Sequence, residues 1–172
     1  ATRNSPFTGE NAIAIGATPT SAKSAMSRPD SPSNISTRPL ASANARVAFL
    51  EERNQWKAFG DPTEAALLVF ARKLGFHKDS LEQEYPRLAE LPFDYKNKYH
   101  ATIDHVDGRK LLVVVGAPEV IMRHSSKLWT HGEPGMSDAG ARPFSKKEKE
   151  SLDVTFGEFS EQGLRILGMA VS

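Results

Sequence analysis

The chain has 172 residues, 39% of them hydrophobic, a net charge of +1 and no cysteine. That length is enough to bury one core. The near-neutral balance gives no support to a nucleic-acid partner, which would call for a concentrated basic face. Without cysteine there is no disulfide framework, no thiolate zinc site and no cysteine nucleophile, a composition that fits a reducing compartment.

Composition is uneven along the chain. Of the first 45 residues, 18 are Ser, Thr or Pro. Such a stretch buries too little apolar surface to offset its ordering entropy. Residues 1–40 therefore read as a flexible lead-in or connector, with a short strand at Ile13-Ala-Ile15, and residues 41–172 as the folded domain. The chain starts at Ala1 with no charged-then-apolar leader, which suggests a piece of something longer. Its longest apolar run, Leu111 to Val115, is far shorter than the roughly 20 residues that span a bilayer, so no membrane insertion by this chain is expected.

From Val47 to Leu50 and Gln55 to Phe59 the apolar alternation predicts a strand. Gly60-Asp-Pro-Thr-Glu64 then opens a helix: Asp61 caps it, Pro62 takes the first helical position and Glu64 follows three residues after the cap. Leu67, Ala71 and Leu74 continue one face, and Gly75 closes the helix. A more polar helix runs from Asp79 to Tyr85. Tyr99 to Ile103 and Lys110 to Val115 form a hairpin across the Asp107-Gly108 turn. Pro118 leads into a short helix over Glu119–His124, and residues 130–143 read as a Gly/Pro-rich loop. Ser145-Lys-Lys-Glu148 is a capping box for a helix carrying Leu152, Phe156 and Phe159. Arg165 to Val171 is the last strand. Hairpins outnumber strand-helix-strand crossovers, so the fold class is α/β (α+β), a mainly antiparallel twisted sheet flanked by helices.

Two constellations fail on inspection. Ala17-Thr-Pro-Thr-Ser-Ala-Lys23-Ser24 has the spacing of a phosphate-binding P-loop, but alanines replace both glycines and the backbone cradle is lost. The histidines at 77, 100, 105, 124 and 131 include no i, i+4 pair for a metal, so no metal site is expected. No nucleophile motif stands out either, and no catalytic residue is assigned.

Four separated segments carry the function. They are Gly60-Asp-Pro-Thr-Glu-Ala-Ala-Leu67, Leu91-Pro-Phe-Asp-Tyr-Lys-Asn-Lys98, Gly116-Ala-Pro-Glu119 and Gly163-Leu-Arg165-Ile-Leu. Each alone has a structural explanation: a cap partner, a core aromatic, a surface charge. In this order and spacing they resemble the nucleotide-binding domain of P-type cation-transporting ATPases, nearest the calcium and sodium/potassium pump branch. The resemblance covers roughly residues 41–172.

The resemblance implies a pocket holding ATP by its adenine end. Phe93 would stack on the adenine ring, where a flat apolar face gains burial without reading hydrogen bonds. Glu64 would accept from the adenine amino group, and Lys98 would line the pocket beside base and phosphates. Gly116 and Ala117 would let the nucleotide approach the backbone. Arg165 would pair with phosphate oxygens through its planar fork. Tyr95 and His100 lie close enough in sequence to add a stacking or polar contact. In place of the family's K-G-A-P-E lysine stands Val115, a loss of about 1.5–3 kcal/mol for a charge-assisted contact. Restoring a lysine at Val115 is expected to tighten binding. The resemblance further implies Mg-ATP in the intact pump, with phosphorylation and actuator domains as partners and the cytoplasmic face of a membrane as location. A monomer is expected. An aspartate in a D-K-T-G-T segment, absent here, would take the γ-phosphate, so this chain would bind nucleotide and turn over little of it. The alternative is a degenerate domain of the same fold, kept for regulation or protein contacts.

Overall fold

The computed structural model describes residues 12–13, 45–73, 75–129 and 141–172. Nine strands and four helices alternate through them: β1 Ala12–Ile13, β2 Arg46–Leu50, β3 Gln55–Phe59, α1 Pro62–Lys73, α2 Lys78–Glu84, β4 Arg87–Asp94, β5 Tyr99–Val106, β6 Arg109–Gly116, α3 Pro118–His124, β7 Lys127–Trp129, β8 Ala141–Pro143, α4 Lys146–Glu161 and β9 Gly168–Val171. Seven strands form one sheet in the order β4-β5-β6-β9-β1-β7-β8, and β2 and β3 form a separate hairpin. Every pairing is antiparallel except the parallel contact of β1 with β7. The mixed, mainly antiparallel α/β architecture expected from the hairpin signals is the one observed.

Local chemistry explains why the elements begin and end where they do. The Asp61 carboxylate accepts from the N–H groups of Thr63 at 2.8 Å and Glu64 at 3.2 Å, which satisfies two orphan donors at the start of α1. At its other end Gly75 has φ +90°, and Phe76 N–H reaches back to the Ala71 carbonyl at 3.0 Å. Leu74 lies outside the described residues. Asp107 and Gly108 both have positive φ, the mirror-image turn that suits the right-handed twist of a hairpin. At α4, Ser145 and Glu148 complete the reciprocal capping box.

Several elements depart from the sequence expectation: β7 has no counterpart in it, and the stretch expected as a strand over 47–59 is the β2–β3 hairpin. Arg87–Asp94 is an eight-residue strand although it contains Pro92; it lies at the sheet edge, where a missing donor is tolerated, and its pairing shifts register between Leu91 and Asp94. Ala141–Pro143, expected as loop, pairs with β7 as β8, again an edge strand ending in proline. The final strand begins at Gly168 rather than Arg165. The expected strand at Ile13-Ala-Ile15 is represented by Ala12–Ile13, held between β9 and β7; residue 15, the P-loop-like segment, His131 and most of 1–40 lie outside the described residues.

The sheet buries a core on each face. On one side α1 and α2 cover Val106, Leu111, Val113, Val115 and Val171 with Ala65, Leu68 and Ala71. On the other, α3 and α4 cover Tyr99, Ala101, Val114 and Ala170 with Ile121, Met122 and Phe156. The alternation of β5 and β6 residues between the two clusters is the period-2 pattern of a sheet buried on both faces. Gly168 lets α3 lie close: a Cβ there would sit 2.8 Å from Ile121 Cβ.

Candidate functional site

The four motif segments converge on one end of the sheet. α1 begins there with Asp61 and Glu64, the β4–β5 turn carries Phe93 to Lys98, β6 runs out at Gly116 into α3, and Arg165 lies just ahead of β9.

The β4–β5 turn is built by Asp94. Its carboxylate accepts from Lys96 N–H at 2.8 Å and from the Asn97 amide at 2.9 Å, and its carbonyl accepts from Lys98 N–H at 2.6 Å. Lys98 is left in the left-handed region, φ 59°, a conformation that costs a non-glycine residue energy unless its surroundings impose it. They do: the Lys98 carbonyl accepts from Ala117 N–H at 2.9 Å. Gly116 makes that approach possible, because a Cβ there would fall 2.5 Å from Tyr99 Cβ and closer still to the Lys98 carbonyl oxygen. The need for glycine at 116 is therefore met by packing inside the sheet, whatever lies above it. Lys98 Nζ, half-exposed, donates to Glu119 Oε1 at 3.1 Å.

Phe93 and Tyr95 flank the turn. Their rings meet edge to face, centroids 5.3 Å apart at 88°. Phe93 is 44% exposed and Tyr95 88%, so both present aromatic surface to solvent instead of burying it.

Behind the turn the site is enclosed. Glu64 Oε1 lies 3.7 Å from His100 Nδ1, and His100 is only 4% exposed. Burial first, then the Arg87 charge, lowers the His100 pKa against the opposing pull of Glu90. The imidazole is therefore neutral near pH 7, and its approach to Glu64 is a polar contact and not an ion pair. His100 pairs in register with Val115, which is 2% exposed within the α1-side core. That burial changes what the missing family lysine means. A lysine at 115 would carry its charge into a core of valine, leucine and alanine, so simple restoration is no longer expected to improve binding.

Arg165 joins the cluster through its charge. Its charge acts on Asp61: partial desolvation would raise that carboxyl pKa, but the Glu64 and Thr63 N–H groups, the Thr63 hydroxyl and Arg165 together bring it below the ordinary value. Arg165 and Glu119 also line an open cavity of about 620 Å³ with Pro118, Asp153, Phe156 and Ser160. This cavity opens against α3 and α4 and takes six of its lining residues, Pro118, Glu119, Gly163, Leu164, Arg165 and Ile166, from the last two motif segments; Glu64 and Phe93 do not line it.

Direct contacts run from Glu64 to His100, from His100 to Val115 by strand pairing, from Ala117 to Lys98 and from Lys98 to Glu119; Arg165 joins less directly, lining the cavity with Glu119 and acting by its charge on Asp61 at the cap of Glu64's own helix. Glu119 is a member that the motif reading quoted without giving it a role. Its signal was its place in the first turn of α3, which faces it back toward Lys98.

The profile of the family described as "P-type ATPase, cytoplasmic domain N" matches residues 36–172. The chain belongs to that family. Its likeness to individual proteins covers a similar span. It is 33% identical over 111 residues to calcium-transporting ATPase 1 of Lactococcus lactis, covering 64% of this chain and 12% of that protein. It is 34% identical over 112 residues to a calcium-transporting ATPase of Bacillus subtilis, with the same 64% and 12% coverage. It is 32% identical over 112 residues to the sodium/potassium-transporting ATPase subunit alpha of Tetronarce californica, covering 63% of this chain and 10% of that protein. The chain therefore spans about an eighth of the relatives it matches. Among its described residues no helix is long and apolar enough to cross a membrane.

Proposed function

We propose that this N domain binds ATP at the sheet end formed by the four motif segments, and serves as the nucleotide-holding unit of a cation-transporting P-type ATPase. In this reading the adenine stacks on the exposed face of Phe93 and its amino group donates to Glu64. Lys98 and Arg165 meet the phosphates, and Gly116 and Ala117 fix the turn that carries Lys98. Tyr95 and His100 border the base, with Val115 packed in the core beside His100 in place of a charge. The observation that supports the reading is that the four segments meet at one sheet end, joined by the Ala117–Lys98 and Lys98–Glu119 contacts and by the charge of Arg165 beside Asp61, since no single motif would require the others to be adjacent.

The chemistry that follows belongs to the whole pump. The domain would present the γ-phosphate, with its Mg²⁺, to an aspartate of a separate phosphorylation domain at the cytoplasmic face of the membrane, with an actuator domain as a further partner. Phosphoryl transfer depends on positioning and charge neutralisation, so a separate domain that holds and delivers the nucleotide is a physically sensible division. Residues 41–172 are the unit assigned to this task, with 1–40 as lead-in. Alone, the domain binds and does not turn over ATP.

The buried, apolar Val115 is the one observation that favours the rival reading, a domain of the same fold retained for regulation or protein contacts. Titration separates the two. ATP should bind with preference over GTP, because Glu64 accepts from an amino group that guanine lacks at that position. Phe93→Ala should weaken ATP by about 1–3 kcal/mol through lost stacking. Absence of binding at millimolar ATP would leave the rival.

A further inference from the structure

Lys98 is held in place by contacts of unequal permanence. Its backbone is fixed three ways, by the Asp94 carbonyl, by the Ala117 N–H and by the absence of a Cβ at Gly116. Among the described residues its side chain is held by one partner, Glu119, at 3.1 Å, in a pair that is 58% and 43% exposed. A pair so exposed gains little from its Coulomb attraction and is cheap to exchange. The same Glu119 lines the open cavity that Arg165 shares. A polyphosphate drawn to Arg165 in that cavity would therefore meet Lys98 already occupied by a carboxylate, and would have to displace it.

We infer that Glu119 is a displaceable counter-ion of Lys98, a charge latch that the phosphate chain of the nucleotide opens. It is a positioning and selectivity residue acting through Lys98. Without ligand it parks the ammonium group against α3. With a polyanion present it yields the lysine, so that only a ligand of sufficient negative charge captures it. A triphosphate gains Lys98 fully, whereas a nucleoside gains nothing from it. This inference rests on the proposed nucleotide site only in naming ATP as the polyanion; the latch itself is defined by Lys98, Glu119 and Arg165.

The test is a set of calorimetric titrations with ATP, inorganic tripolyphosphate and adenosine on the wild-type chain, Glu119→Gln, Lys98→Ala and the double variant. Glutamine keeps the size of Glu119, and the side chain is 43% exposed, so folding should be retained; circular dichroism checks it. Glu119→Gln should tighten ATP and tripolyphosphate about 2- to 5-fold, the range expected for removing an exposed ionic competitor. It should leave adenosine unchanged, and its effect should vanish in the Lys98→Ala background. The inference is overturned if Glu119→Gln leaves the polyphosphates unchanged or weakens them, if adenosine tightens equally, or if the gain persists without Lys98. Tripolyphosphate separates the two levels. A Lys98-dependent gain with tripolyphosphate but no ATP binding sustains the latch and removes the adenine site. ATP binding without any Glu119 effect sustains the site and removes the latch. No binding of either ligand removes both.

Discussion

The two faces of the central sheet are built from the same strands but differ in what they bury. Toward α3 and α4, β5 contributes Tyr99 and Ala101, opposite Gly116 and Val114, to an apolar cluster with Ile121, Met122 and Phe156. Toward α1 and α2, the same strand contributes His100, Thr102 and Asp104, all under 7% exposed, opposite Val115, Val113 and Leu111. Polar groups are costly to bury, and a face that exists only for packing has no reason to carry three in a row. Some of the cost is recovered: Arg87 Nε lies 3.8 Å from Asp104, and Arg87 also pairs with Glu90 at 2.9 Å. Some is not, since the buried Thr102 hydroxyl has no hydrogen-bond partner among the described residues. The β5 residues toward α3 and α4 therefore act as scaffold, although Glu119 and Arg165 line the cavity on that side, and those of the other face lead through His100 to Glu64 and the motif cluster.

Substitutions break this contrast in graded fashion. Val115→Lys should have the largest effect, about 3–5 kcal/mol of lost stability for an uncompensated charge in the α1-side core. Chemical denaturation measures it, and a stable variant would show that position 115 reaches solvent. Next is Gly116→Ala, expected to cost about 1–3 kcal/mol by forcing β6 away from the Lys98–Tyr99 backbone. It should also weaken nucleotide through the displaced turn, whereas Gly168→Ala on the scaffold face should cost stability without touching affinity. Thr102→Val should be neutral or stabilising by up to about 1 kcal/mol, because it removes a buried hydroxyl that has lost its water. A clear destabilisation would mean the hydroxyl is satisfied in solution.

The smallest effect concerns pH and lies at the far end of α4. The Ser145 hydroxyl, the Arg142 guanidinium and the Ser145 N–H hold the Glu148 carboxyl at a pKa of about 2, down from 4.5. A lowered pKa means that the folded chain binds the proton less readily than the unfolded one. The contribution is therefore complete above about pH 4.5 and is lost as pH falls toward 2. Carbon-detected titration of Glu148 should show the low midpoint, and Ser145→Ala should raise it.

Much of this organisation was legible in the sequence wherever local chemistry dictated it. Asp61-Pro62 and Ser145-Glu148 mark helix starts through short-range hydrogen bonds, and Asp107-Gly108 marks a turn through its backbone conformation. The strands β4 and β8 were not legible, because each contains a proline and owes its extended pairing to an edge position set by the rest of the sheet. The motif residues could be named from their order, but the contacts that join them are tertiary. Nothing local to Gly116 reveals that Lys98 presses on it, nor that Val115 points into the core. Glu119 went unassigned for the same reason, its partner being 21 residues away.

The central claim is that ATP occupies the sheet end where the four segments meet, and amide chemical-shift mapping with ATP tests it most directly. The account predicts saturable shifts clustered at Glu64, the Phe93–Lys98 turn, Gly116–Ala117 and Arg165, with the scaffold-face strand residues Val114 and Ala170 unmoved. Shifts centred elsewhere, or none at millimolar ATP, would contradict it.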